Sequence, residues 1–329
     1  MAHKYNACCN MSRSAVPLAH GLSYVDLAFQ GRANAIATVL VSGGGQLALI
    51  DPGPTTCLEQ LELALNASGF ALEEVTDLLL THIHLDHAGS AGALLRRQPR
   101  IRVHVHERGA PHLVDPSTLL SSATRLFGDD MERLWGGMLP VPAANIRTLQ
   151  GDESIDAGGR RFAVAYTPGH ASHHVSFFDH ESGVAFVGDT AGVCIRGGWV
   201  LPPTPPPDVE LDLWRDSLAR IEHWSPQSLF ITHFGPLNDV RPHIQMLLHN
   251  LTLVAGWARD TLRMPGTDEE RNERFLEELD REMRRHTIDA QLASYRAAAP
   301  PYVHWLGLAR YWRKRGEPAA GTQRPGAAS

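Results

Sequence analysis

Thr81-His82-Ile83-His84-Leu85-Asp86-His87-Ala88-Gly89-Ser90-Ala91-Gly92, residues 81–92, packs three histidines and an aspartate into six consecutive positions. Asp77 to Leu80, just before it, is a short apolar run with the character of a buried strand, so the polar cluster is expected at a strand's carboxyl end. His82 and His84 stand at i and i+2, which on extended backbone turns both imidazoles to one face and lets them share one ion. Asp86 and His87 follow at the turn into a helix, where a second ion has room. The small residues from Ala88 to Gly92 let backbone approach the site closely.

Outward from this stretch the text alternates. Upstream, Ser23 to Phe29, Ala35 to Val41 and Leu47 to Ile50 read as strands, with Gly43-Gly44-Gly45 as the turn between the last two. Thr55 to Ala67 places Leu58, Leu61 and Leu65 at helical spacing and ends at Gly69. Downstream come a strand at Ile101 to Val105 and helical text from about His106 to Trp135. Strands at Ile146 to Leu149, Phe162 to Tyr166, Val175 to Phe178 and Val184 to Val187 follow. Gly197 to Pro207 is too rich in proline for a helix or central strand and reads equally as an ordered arm or a plain linker. Beyond Asp208 the pattern is helical over Val209 to Trp224, Arg241 to Arg263, Asp268 to Arg285 and Val303 to Arg315, interrupted by a strand at Leu229 to Thr232. The predicted class is therefore α/β, with mixed sheets flanked by helices.

The pattern His-x-His-x-Asp-His resembles that of the metallo-β-lactamase-fold superfamily, and further motifs follow in that family's order. They are IDPGP at 50–54, TPGH at 167–170, GDT at 188–190 and THFG at 232–235. The resemblance covers roughly residues 20–238 and implies a four-layer αβ/βα sandwich; outside it, the helical pattern of residues 239–315 is expected to form a C-terminal cap, and 1–19 and the Gly-, Pro- and Ala-rich 316–329 are expected to be flexible ends. It implies that His82, His84 and His170 hold one ion, that Asp86, His87 and His233 hold the other, and that Asp189 bridges both. It implies that Asp51 braces the metal loop without binding metal. A site of nitrogen and oxygen donors suits two divalent zinc ions, with iron or manganese as alternatives. In many relatives the chain after TPGH continues with a Gly-His pair, whereas here Ala171-Ser172 is followed by His173-His174.

The activity implied is that of a metallo-hydrolase of the glyoxalase II-like and lactonase-like branch. Such an enzyme would use a hydroxide held between two ions, with Asp86 as the catalytic residue that orients it and accepts a proton. The expected substrate is a small acyl ester, thioester or lactone. The alternatives are a persulfide dioxygenase-like oxidoreductase with one iron and a phosphodiesterase or nuclease of the same fold.

Composition narrows the partners. With 36 acidic against 30 basic residues and a formal charge of −6, no global positive field favours nucleic acid. No run approaches the ~18 apolar residues of a membrane span, and the first 20 residues lack a continuous apolar segment, so a cytoplasmic protein with a small-molecule substrate is expected. Four cysteines without paired spacing read as reduced thiols, and Cys194, close to Asp189, reads as a buried small hydrophobe in preference to a nucleophile. His104, His106, His173, His174, His243, His249 and His304 are expected at the surface or in support, with His106 and His174 nearest the pocket. Arg196, the Pro202 to Pro207 arm and residues 108–138 with Trp135 are candidate pocket walls.

Overall fold

A computed structural model describes residues 14–317. Two sheets face each other. The first holds β1 (Val16–Ala19), β2 (Leu22–Asp26), β3 (Ala37–Gly43), β4 (Gln46–Ile50), β5 (Val75–Leu79), β6 (Arg102–His106) and β7 (Ile146–Leu149), in that spatial order. Its first four strands are antiparallel, and β4 to β7 are parallel. The second holds β8 (Ser154–Ala157), β9 (Arg160–Tyr166), β10 (Val175–Asp179), β11 (Val184–Phe186), β12 (Ser228–Ile231) and β13 (Gly235–Leu237), neighbours in chain order, with only β11 and β12 parallel.

Strand periodicity decides the layering. Val39 and Val41 of β3, Ile50 of β4 and Leu79 of β5 turn inward onto Phe162, Phe177, Phe186 and Phe230 of the other sheet. Their sequence neighbours Leu40, Leu49 and Leu78 turn outward into the core formed with flanking helices. Over the first sheet these are α1 (Leu58–Ala67), the short α2 (Leu85–Ala88) and α3 (Ala91–Arg97). The chain then adds α4 (Ala110–Val114), α5 (Ser117–Phe127) and α6 (Met131–Leu134), and later α7 (Leu211–His223), whose Trp214, Leu218 and Ile221 cover the second sheet. The result is the αβ/βα four-layer sandwich. Truncating an inter-sheet side chain such as Phe177 to Ala costs about 3–5 kcal/mol by the usual loss of buried contact.

Among the described residues, four helices follow β13: α8 (Val240–Leu262), α9 (Asp268–His286), α10 (Asp289–Ala298) and α11 (Tyr302–Lys314). The α9 start is fixed by a reciprocal cap, in which Thr267 Oγ1 accepts from Glu270 N–H at 3.3 Å and Glu270 accepts from Thr267 N–H at 2.8 Å. Ile244, Leu247, Leu251 and Val254 of α8 are buried, while Leu248 is only half-buried. With Trp305 and Leu308 of α11 they join the same core cluster as the sandwich helices. Among the described residues no helix is long and apolar enough to cross a membrane.

Several expectations change. Val16–Ala19 forms a paired edge strand inside the stretch expected to be flexible, and Gly316 and Glu317 are placed, with Glu317 paired to Arg263 at 2.8 Å. The remaining terminal residues lie outside the described range. The strand expected to run to Phe29 stops at Asp26, because Asp26 accepts the backbone N–H groups of Ala28 and Asn34 and bends the chain into a tight turn. The helical text of 106–135 begins only at Ala110, with Pro111 in the first turn, and breaks into three pieces at Pro116 and Gly128. The α10 helix, β8 and β13 were not apparent in the sequence pattern; each is short. Residues 201–204 of the proline arm are buried, and Leu201 bridges to Val193, so the segment is an ordered arm and not a linker.

Candidate metal centre

Four loops at the carboxyl ends of β5, β9, β11 and β12 supply seven side chains. β5 delivers the chain to Thr81 through His84, and Asp86 and His87 follow on α2. His82 and His84 lie beyond the strand, in a loop, yet their rings meet with centroids 4.5 Å apart. His170 follows β9, Asp189 lies in a single 3-10 turn after β11, and His233 follows β12. Gly188 makes that turn possible: at φ +45°, a Cβ there would meet Thr81 Oγ1 at 2.5 Å and His174 Nε2 at 2.7 Å.

Two groups of donors converge. Nδ1 of His84 lies 2.9 Å from His82 Nε2 and 3.0 Å from His170 Nε2. His233 Nε2 and His87 Nε2 lie 3.3 and 3.6 Å from Asp86 Oδ2. Asp189 stands between the groups. Its Oδ2 is 3.3 Å from His170 Nε2, while its Oδ1 is 3.2 Å from His87 Nε2 and 3.3 Å from His233 Nε2. Within this cluster, His87 Nε2, Asp189 Oδ1 and His233 Nε2 are buried and have no hydrogen-bond partner. Buried polar atoms left in this state are costly, and a cation shared among them is the group that fits. Three mutually close sets, His82/His84/His170, His82/His87/Asp189 and Asp86/His87/His233, each offer three ligand atoms.

The surrounding hydrogen bonds set which ring nitrogen is bare. His87 Nδ1 gives its hydrogen to Asp51 Oδ2 at 2.8 Å, His170 Nδ1 to the Pro203 carbonyl at 2.8 Å, and His233 Nδ1 to the Ala35 carbonyl at 2.6 Å. The Thr81 hydroxyl donates to Asp51, so its oxygen accepts His82 Nδ1–H at 3.1 Å. Each of these four rings therefore turns its Nε2 inward, where the neutral ring offers a lone pair. Asp51 also accepts from Thr81 N–H and from the Thr232 hydroxyl, which ties two of the four loops, those after β5 and β12, to one carboxylate. Asp51 thus lies outside the cluster and braces it, as the sequence suggested.

Charge is arranged to match. Burial pushes His82 well down, aided by the neighbouring His87 and His84, and brings His84 to about 4. Burial would also lower His233, but Asp189 and Asp86 overcome it and raise the ring to about 9. His87 is likewise raised, against burial, by Asp86, Asp189 and Asp51.

A cleft of about 260 Å³ opens over the cluster and reaches His84, Asp86, His170 and Asp189. Its apolar walls include Leu119, Leu126, Phe127 and Trp135 from the α5–α6 region, Pro205 to Pro207 from the arm, and Val303 from α11. Of the candidate walls, the proline arm and Trp135 do line the cleft. Arg196 is not among the lining residues, and neither is His106, whose ring instead stacks on Tyr166 at 4.3 Å. His174 sits behind the cluster, its ring stacked on His82 at 5.1 Å. His104 pairs with Asp77 at 2.8 Å and His243 with the Ala191 carbonyl at 2.7 Å. Cys194 is buried, and burial pushes its thiol up, away from nucleophilic use. The sequence reading missed His173 and His304 as cleft residues; the only signal was His173 in place of glycine after TPGH.

The family model of the metallo-beta-lactamase superfamily matches residues 31–224, more than half of the chain. The chain belongs to that superfamily. Superfamily members are mostly metal-dependent hydrolases, and the donor cluster here suits metal binding. A metallo-beta-lactamase fold-containing protein of Sulfurisphaera tokodaii is 29% identical over 220 residues, covering 65% of this chain and 79% of that protein. A hydroxyacylglutathione hydrolase of Synechococcus sp. is 30% identical over 125 residues, 37% of this chain and 38% of that one. Among solved structures, a metallo-beta-lactamase family protein from Thermus thermophilus superposes with a TM-score of 0.68 at 24% identity, covering 91% of this chain and 95% of that chain. The shared fold thus extends through the C-terminal helices.

Proposed function

We propose that the protein is a hydrolase that uses two divalent metal ions, zinc in the first instance, to cleave a small acyl ester, thioester or lactone. The observation that carries this reading is Asp189, whose two oxygens face two different sets of imidazole lone pairs. In this reading His82, His84 and His170 hold one ion, Asp86, His87 and His233 the other, and Asp189 bridges them. Two such ions would supply hydroxide near neutral pH by lowering the pKa of a shared water from 15.7 toward ~7, and would polarise the scissile carbonyl. Asp86 is the partly exposed carboxylate of the cluster, at 15%, and lines the cleft. Its Oδ2 faces His87 and His233, so Oδ1 is left to take the proton of the attacking water and return it to the leaving group. Trp135, Phe127 and the proline arm keep the acyl chain dry.

The acyl preference follows from the apolar walls and the charge of −6, which gives a polyanion no steering. The test is elemental analysis followed by an assay panel. About two zinc ions per chain are expected in the wild type, with both lost in Asp189→Ala. The panel holds a glutathione thioester, a coenzyme A thioester, an acyl lactone, bis-p-nitrophenyl phosphate and single-stranded RNA, with oxygen uptake on a persulfide as a separate arm. Higher kcat/KM on a carbonyl substrate is expected. A preference for either phosphodiester, or oxygen uptake with one iron per chain, would overturn the reading.

A further inference from the structure

The histidines around the cleft divide by what their Nδ1 does. In the cluster, Nδ1 of His82, His87, His170 and His233 donates and leaves Nε2 facing the donor cluster. His304 and His173 are reversed. Nδ1 of His304 accepts the Thr204 backbone N–H at 3.1 Å, and Nδ1 of His173 accepts that of Ile83 at 3.4 Å. A neutral imidazole whose Nδ1 accepts must carry its hydrogen on Nε2. Burial keeps the His304 ring neutral, lowering it to about 4.

Among the described residues, no acceptor meets hydrogen-bond distance and angle at the buried Nε2 of His304, which is 2% exposed, although the Ala299 carbonyl stands near enough to favour the charged ring, and His173 Nε2 also has no protein partner. A buried donor left unpaired costs about 1–3 kcal/mol, and a ligand oxygen would recover it. Both rings line the same cleft as Asp86 and His170. Their placement is built in. Pro203 accepts from His170 and the next residue, Thr204, donates to His304, so the C=O and N–H of a single peptide unit of the arm tie the cluster to α11.

We propose that His304 and His173 form a two-donor site that receives an acceptor oxygen of the substrate, a carbonyl or carboxylate oxygen attached to an apolar acyl body. The choice of acyl body rests on the function proposed above; the donor pair does not. Two N–H groups select an acceptor-only oxygen and reject an amine. Leu119, Leu126, Phe127 and Val303 supply the apolar wall for the chain.

The probe is octanoate, titrated calorimetrically into the zinc-loaded full chain. His304→Asn keeps an oxygen near Nδ1 for Thr204 N–H but removes the Nε2–H, and Kd is expected to rise about tenfold, the effect of one lost hydrogen bond in a buried site. His304→Gln keeps a donor near Nε2 and should stay within about threefold of wild type. His173→Asn should raise Kd by a similar factor to His304→Asn. Nitrogen-15 spectra should show His304 protonated at Nε2, with that proton shifting on octanoate addition. A His304→Asn Kd unchanged from wild type would overturn the proposal. So would equal weakening in Asn and Gln variants together with lowered Tm, since that marks a purely structural tie to Thr204. Zinc content is read in every sample: a wild type that takes up no zinc refutes the proposed function alone, and the octanoate titration then judges the donor pair by the same two outcomes.

Discussion

Asp51 Oδ2 lies 2.8 Å from His87 Nδ1, so a carboxylate outside the donor cluster decides which nitrogen of a ring inside it is free. The same Asp51 oxygen accepts from the hydroxyls of Thr81 and Thr232, and Asp51 Oδ1 from Thr81 N–H. Replacing it with Asn keeps the shape but puts an amide N–H among groups that mostly donate. The His87 tautomer is then no longer enforced. Asp51→Asn is expected to weaken zinc binding by about 10–100-fold, the usual cost of losing such a supporting contact. Competition with a chromogenic chelator measures it, and an affinity equal to wild type would show that the tautomer is set elsewhere.

Metal uptake should release protons. In the metal-free protein His233 is raised to about 9 and His87 well above its usual value, so both carry protons at pH 7. A metal ion bound through these rings would have to displace them. A raised folded-state pKa stabilises below the unfolded value and is lost as pH climbs through the folded one. The metal-free protein should therefore lose stability between about pH 6.5, the unperturbed histidine value, and pH 9, while the zinc-loaded protein should not. Calorimetry in buffers of different ionisation enthalpy counts the protons, and fewer should be released at pH 9 than at pH 7. A release independent of pH across this range would contradict the assignment.

Gly307 of α11 is packed against the arm. A Cβ there would meet the Thr204 carbonyl oxygen at 2.1 Å and the Pro205 carbonyl carbon at 2.9 Å, and backbone cannot swing aside. Gly307→Ala is expected to destabilise the protein by about 1–3 kcal/mol, as overpacking does. Because Thr204 and Pro203 hold His304 and His170, the variant should also weaken octanoate binding. Urea unfolding supplies the first measurement, and an unchanged midpoint would mean that α11 shifts freely.

Much of this protein was legible in short stretches of text. The strands β3, β4, β6, β7 and β12 and the long helices α8 and α9 follow from side-chain periods of 2 and 3.6. The seven donors were marked by motifs of at most six residues, each close behind a readable strand. What escaped was short or bent: Val16–Ala19, Ser154–Ala157 and Asp289–Ala298 are too brief to build a clear period, and the turn after Asp26 depends on one side chain accepting two backbone N–H groups.

Only the tertiary structure decided what each histidine does. His233 owes its free Nε2 to a carbonyl at Ala35, 198 residues away in sequence. His304 owes its Nε2–H to the amide of Thr204, 100 residues away. The sequence by itself determined which residue types gather at the ends of which strands, because those patterns are local. Whether a ring offers a lone pair or a hydrogen depends on the partner packed against its other nitrogen, and that partner is brought there by the fold.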